Sequence, residues 1–226
     1  MTMPTLRGDL LNDPLNVVYP RNAAMLPLPY VGDLPRLAAF KLTHYLYALA
    51  FQNQTDRLVV DIRHAAQAVI GSPLSPPKLR QVQEALTDLQ RYRMLFLRGE
   101  HGTSTSFITE LTIQDRMPAQ VRLSPTVFEM VVEPMRYGFI RLGDVCDAKS
   151  VQALRLLEIA AIYAPRQLRV LQMPVEQWAE RLLYRVDGST SQFIQAMTKL
   201  TTSLPFIDDF RVVGNEAILA FKPVGG

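Results

Sequence analysis

The same order of structural signals runs through this chain twice, and that leaves few folds open to it. Arg57-Leu58-Val59-Val60-Asp61-Ile62 slides onto Arg169-Val170-Leu171-Gln172-Met173-Pro174 with an offset of 112 residues. Each run is short and apolar, as a buried strand requires. A helix-spaced apolar set precedes each: Leu34, Leu37, Ala38, Leu42, Tyr45, Leu46 and Leu49, then Val151, Leu154, Leu157, Ala161 and Ile162. A brief helix, a glycine-containing turn, a longer helix and a hairpin follow each. Whole elements recurring in one order are far less often accidental than one matching segment.

The first copy shows what the repeated unit does. Ser75-Pro76-Pro77 opens its longer helix, with serine to cap an orphan N–H and proline where no helical bond is lost. Leu79, Val82, Leu86 and Leu89 mark the buried face, and Lys78, Arg80, Gln81, Gln83, Gln90 and Arg91 the polar one. Met94–Leu97 and Phe107–Ile113 then read as strands around the turn Gly99-Glu100-His101-Gly102, with Arg98 and His101 near its tip. A polar-faced helix followed by a hairpin is the recognition helix and wing of a winged helix-turn-helix. The second copy repeats it. Gly188-Ser189-Thr190 turns and caps, Phe193, Met197, Leu200 and Leu204 face inward, and Phe210–Val213 with Ala217–Phe221 close a hairpin at Gly214-Asn215. Its polar face holds Gln192, Gln195, Thr198, Lys199, Thr201 and Thr202, with Arg211 on the wing.

The expected fold is therefore α+β, two tandem winged helix-turn-helix domains related by internal duplication. Residues 1–33, rich in proline, read as an irregular arm with Asp33 as a cap for the first helix. Residues 34–120 form the first domain, 121–146 a connector and 147–226 the second, which opens with Asp147 as cap. In the connector Val121-Arg122-Leu123 is extended, Ser124-Pro125 caps a helix through Val132, and Tyr137–Leu142 is a strand or extended link.

Charge bounds the partners. The net charge is +3, and the halves are nearly balanced: residues 1–113 hold 11 basic against 9 acidic side chains, residues 114–226 hold 13 against 12. Attraction to nucleic acid must then come from local clusters. No apolar run approaches the roughly 20 residues of a membrane span, no secretory leader is visible, and the single Cys146 fits a reducing cytoplasm.

Catalytic sets are missing from the sequence. There is no G-x-x-x-x-G-K-[ST] phosphate loop. His44, His64 and His101 are scattered without a second ligand at metal spacing and without the His-x-His of a metal-dependent nickase. Cys146 has no histidine near it in sequence, and Asp208-Asp209 fall in an expected turn. Trp178 and Phe193 read as core, and Met94, Met173 and Met197 as gap-filling packing. The expectation is a binding protein, not an enzyme, with no metal and no cofactor.

Several stretches carry a family resemblance: Arg122-Leu123-Ser124-Pro125, Tyr137-Gly138-Phe139-Ile140, Lys149-Ser150-Val151-Gln152-Ala153-Leu154-Arg155-Leu156-Leu157-Glu158 and Met173-Pro174-Val175-Glu176-Gln177-Trp178. With the repeated plan they make the chain resemble the tandem winged-helix replication initiators of theta-replicating plasmids, the RepA, RepE and TrfA kind. The resemblance implies binding of repeated origin sites in double-stranded DNA, opening of adjacent AT-rich DNA and recruitment of host replication proteins. It also implies a homodimer that represses its own promoter. The DNA-contacting set would be Lys78, Arg80, Gln81, Arg91 and Arg98 in the first copy and Gln192, Gln195, Lys199 and Arg211 in the second. One departure stands out: the second recognition helix carries Lys199 alone as a cation, where the family usually has several. Two alternatives remain, a tandem winged-helix protein-interaction subunit and a transcriptional regulator without an initiation role.

Overall fold

The computed structural model describes residues 16–20, 30–31, 35–91, 93–98, 101–114, 117–132, 137–163, 169–184 and 190–222. Packing divides the chain into two units, one running from Leu28 to Asp147 and taking in the strand Asn16–Pro20, the other formed by Ala148–Gly226. Among the described residues there are eight helices and four small antiparallel sheets, an α+β fold. None of those helices is long and apolar enough to cross a membrane.

The first unit begins with two short strands, β1 (Asn16–Pro20) and β2 (Tyr30–Val31), so the stretch expected to be an irregular arm supplies sheet partners. Helix α1 (Leu37–Asn53) is the hub. It is apolar on nearly every side, which requires enclosure, and Ala38–Leu42 and His44–Ala50 are buried. The buried Lys41 ammonium donates to the Cys146 carbonyl at 2.6 Å. The His44 ring Nδ1 lies 2.9 Å from the Phe40 carbonyl, a structural placement. The helix stops at Gln54, whose φ of 50° is left-handed.

Next come β3 (Arg57–Val60) and α2 (Ile62–Val69). Asp61 caps α2, its carboxylate accepting from the Arg63 N–H (2.7 Å) and the His64 N–H (3.1 Å). Gly71 then turns the chain at φ +91°, and a Cβ there would stand 3.2 Å from Cys146 Sγ. Helix α3 (Pro76–Arg91) follows, burying Val82, Ala85, Leu86 and Leu89 at three- and four-residue spacing.

After α3 the structure departs from the expected single hairpin. Strands β4 (Arg93–Arg98) and β5 (His101–Ser106) pair with each other, and β2 lies on the other edge of β4. A second hairpin, β6 (Ile108–Thr112) and β7 (Ala119–Leu123), joins β3 in the order β3-β7-β6. The polar run Ser104-Thr105-Ser106 lacks apolar alternation, so its pairing was not visible in the sequence. Val121-Arg122-Leu123 is accordingly not a link but the middle strand of this sheet. Arg122 spans it, donating to Asp56 (2.9 Å) and Glu110 (2.8 Å). Ser124 ends the strand and caps α4 (Pro125–Val132), its Oγ accepting from the Val127 N–H at 3.3 Å. β8 (Tyr137–Arg141) pairs with β1, and the short helix α5 (Leu142–Asp147) completes the unit.

In the second unit, α6 (Val151–Tyr163) is capped by Ser150, whose Oγ accepts from the Ala153 N–H at 3.1 Å. The expected cap, Asp147, belongs to α5 instead. Then come β9 (Val170–Pro174), α7 (Val175–Arg181), α8 (Thr190–Thr202), β10 (Ile207–Val213) and β11 (Glu216–Phe221). β11 lies between β10 and β9, and Gly214, at φ +63°, turns the hairpin. Asp208 and Asp209 lie on β10, not in a turn. Trp178 is 0% exposed and donates its Nε1–H to the Ala217 carbonyl at 3.0 Å; Phe193, Met173 and Met197 are also core. Arg155 and Glu158 are buried as an ion pair at 2.5 Å, and Arg155 also donates to the Arg181 carbonyl. Asp33, Gly188-Ser189 and the turn residues Gly99-Glu100 lie outside the described residues, as does the Met94 side chain.

The order helix, strand, helix, helix, hairpin thus occurs in both units: α1-β3-α2-α3-β6-β7 and α6-β9-α7-α8-β10-β11. In both, the first strand pairs antiparallel with the last. The β4–β5 hairpin is extra to the first. It sits between α3 and β6, so Ile108 and Ile207 hold the same place only 99 residues apart.

Candidate nucleic-acid interface

Helix geometry sorts the expected contact residues. At 3.6 residues per turn, Arg80, Glu84, Thr87 and Arg91 stack along one line of α3, roughly opposite the buried line of Val82, Ala85, Leu86 and Leu89. Arg80, Gln81 and Arg91 are exposed. Lys78 falls on the buried side of the wheel. It is half-buried and donates Nζ–H to the Gly71 carbonyl at 2.7 Å, tying the start of α3 to the turn before it. The structure therefore separates Lys78 from Arg80. Arg98 lies on β4, in the extra hairpin and not on the one that joins β3; its side chain is outside the described set.

Two carboxylates, Glu84 on the exposed line and the half-buried Asp88, stand on one side of α3. Arg36, just ahead of α1, donates Nε–H to Asp88 Oδ2 (2.9 Å), Nη2–H to Asp88 Oδ1 (3.3 Å) and Nη1–H to Glu84 Oε2 (2.6 Å). Asp88 first, then Glu84, raise the guanidinium pKa above its already high ordinary value. Arg36, Pro76, Pro77, Lys78, Arg80, Gln81 and Glu84 line a shallow depression of about 440 Å³. Sequence reasoning missed Arg36 because its partners lie 48 and 52 positions away. The acids were legible: Glu84 is four residues after Arg80, and Asp88 four after Glu84.

On α8, Phe193, Met197 and Thr201 are buried, and Gln192, Gln195, Lys199 and Thr202 form the exposed line on the far side. The expected set is brought together here with one cation in it, except Thr201, which turns into the core. Thr198 and Thr202 donate their hydroxyls back to the Ile194 and Thr198 carbonyls, so Gln192, Gln195 and Lys199 are the polar groups of this line that bond no other side chain among the described residues. Arg211 is exposed on β10, its Nε 3.7 Å from Asp209 Oδ2. β10 packs beside α8 and exposes Asp208 and Asp209, so the field around this helix is close to neutral. Among the described residues no group of three or more His, Cys, Asp or Glu side chains could hold a metal ion.

No protein-family model matches the chain, and no curated protein matches it either. Among solved structures it is similar to domains 2 and 3 of RctB in two crystal structures. The first, a selenomethionine derivative, has a TM-score of 0.57 at 9% identity over 83% of this chain and 82% of that one. The second has a TM-score of 0.50 at 9% identity over 82% and 81%. At that identity the likeness is one of fold: this chain shares with RctB domains 2 and 3 a mixed α+β architecture.

Proposed function

We propose that this chain is a sequence-specific DNA-binding replication initiator. In this reading its two units are winged helices related by internal duplication, which bind repeated origin sites in double-stranded DNA and help open the adjacent duplex. The observation that carries it is the likeness to domains 2 and 3 of RctB, a replication initiator, across 83% of the chain. The shared element order adds support, since the third helix of each unit turns a polar line outward ahead of a hairpin. Arg80, Gln81 and Arg91 on α3, and Gln192, Gln195, Lys199 and Arg211 in the second unit, are the contacts. Arg36 holds the acids beside them, and Lys78 acts as a structural residue. The action is binding and duplex deformation, with no catalytic step and no cofactor. Host replication proteins, a promoter-bound homodimer, a plasmid origin and a cytoplasmic setting belong to the same reading.

A second reading is favoured by one observation: the exposed line of α8 holds Lys199 alone, beside the acids of β10. Such a face fits a protein subunit better than a phosphate backbone. A transcriptional regulator would share the DNA chemistry and differ in the site bound.

The test is fluorescence anisotropy of the whole chain with duplexes tiled across the DNA flanking its coding region. The expected result is affinity confined to repeated fragments that falls as salt rises. Salt-independent or absent binding to every fragment would end the initiator reading and leave the protein-interaction one.

A further inference from the structure

We propose that Glu84 is a base-reading residue of α3, set to accept a hydrogen bond from a cytosine N4 amino group, with Arg36 and Asp88 holding it in place; this rests on the DNA-binding reading above. Position comes first. Glu84 lies one helical turn beyond Arg80 and two before Arg91 on the line that faces solvent, and its side chain is 44% exposed. Any duplex docked on that line meets Glu84 between the two arginines.

Charge is the obstacle, and the fold lessens it. A bare carboxylate facing DNA is repelled by the phosphates. Arg36 donates to Oε2 of Glu84 at 2.6 Å, so the acid arrives with a cation attached that it shares with Asp88. Arg36 is held in turn, because its Nε and Nη2 grip both oxygens of Asp88, which is only 15% exposed. Among the described residues the other Glu84 oxygen, Oε1, accepts no hydrogen bond. The result is one fixed acceptor on the exposed line, its charge offset in part by an arginine it shares with Asp88.

The chemistry of the bases then selects. In the major groove cytosine offers the N4 amino donor, which a carboxylate accepts. Adenine offers an amino group with the N7 acceptor beside it, and thymine and guanine present acceptors at that edge, all of which repel a carboxylate. Arg80, one turn earlier, is a paired donor suited to guanine O6 and N7. The expected site therefore places a cytosine within a few base pairs of a guanine.

The test selects bound sequences from duplexes randomised over about 20 base pairs, using the whole chain as wild type, Glu84→Gln and Glu84→Ala. The wild type is expected to prefer cytosine about tenfold at one position. Glu84→Gln should move that preference to adenine, and Glu84→Ala should erase it, with every other position unchanged. If the wild type selects a defined site and both variants keep its cytosine, the assignment is wrong while the DNA-binding reading stands. A wild type that selects nothing overturns both. Circular dichroism checks that each variant is folded. Should the Glu84 variants fail to fold, Arg36→Gln reads the same position, where an undiminished cytosine preference is the overturning result.

Discussion

Single residues divide here into those that hold the fold and those turned outward, and neighbours in sequence fall on different sides. Lys78 and Arg80 are two positions apart on α3, yet one anchors the turn at Gly71 and the other projects into solvent. Lys78→Ala should lower stability by about 1 kcal/mol through loss of a charge-assisted hydrogen bond, and leave DNA affinity nearly unchanged. Arg80→Ala should do the reverse, with an unchanged melting temperature and a salt slope flatter by about one unit. Thermal denaturation and anisotropy titrations at several salt concentrations separate the two. Equal losses of affinity in both variants would contradict the division.

The buried pair Arg155–Glu158 makes the same point inside the second unit. Neither side chain is more than 3% exposed, so removing one takes from the other its buried counter-charge. Arg155→Ala should cost about 3–5 kcal/mol, whereas Arg155→Met with Glu158→Leu should cost far less, because no charge is left behind. Urea denaturation of the single and double variants reads the difference.

At the scale of elements, the β4–β5 hairpin is the part that one order of elements does not require. Its register pairs Arg93 with Ser106, so its two ends stand side by side. Replacing residues 94–105 by a short glycine-serine linker should leave α3 and the β3-β7-β6 sheet folded. Limited proteolysis and circular dichroism would check this; loss of cooperative unfolding would show instead that β4–β5 supports the core. The nearest-strand rule paired Met94–Leu97 with Phe107–Ile113 because both are apolar. The structure inserts the polar strand His101–Ser106 between them and moves the sheet-joining hairpin to Ile108–Leu123. The helices were easier to read. Ser124 and the stripe from Val82 to Leu89 act locally, within one or two turns, and each stands where spacing and capping chemistry put it, whereas Asp61, read with the strand before it, is the cap of α2. Asp147 failed as a cap because Ser150, nearer the helix, offers the same oxygen.

At the scale of the whole molecule, Trp178 offers a probe for one unit. It is the only tryptophan, and it is buried in the second unit. Its fluorescence follows that unit's unfolding, while far-ultraviolet circular dichroism follows both. A repeat duplex at about 100 times its dissociation constant should stabilise whatever it binds by about 2.7 kcal/mol. Under the tandem DNA-binding reading both signals should melt at higher temperature. A fluorescence transition that stays put while the dichroism shifts would assign α8 to a protein partner.

Periodicity, caps and turn residues sufficed for the α+β class, for the described helices other than α5 and for the twofold recurrence of their order, since each of those signals acts between residues close along the chain. They sufficed as well for the exposed line of α8, which follows from helical spacing alone. Tertiary structure alone decided which hairpin completes the first sheet, that Lys78 turns inward, and that Arg36 reaches the acids of α3. Those outcomes depend on groups brought together from 7 to 66 positions apart. Over such separations the packing of α1 and the pairing of strands, not any local preference, choose the partner.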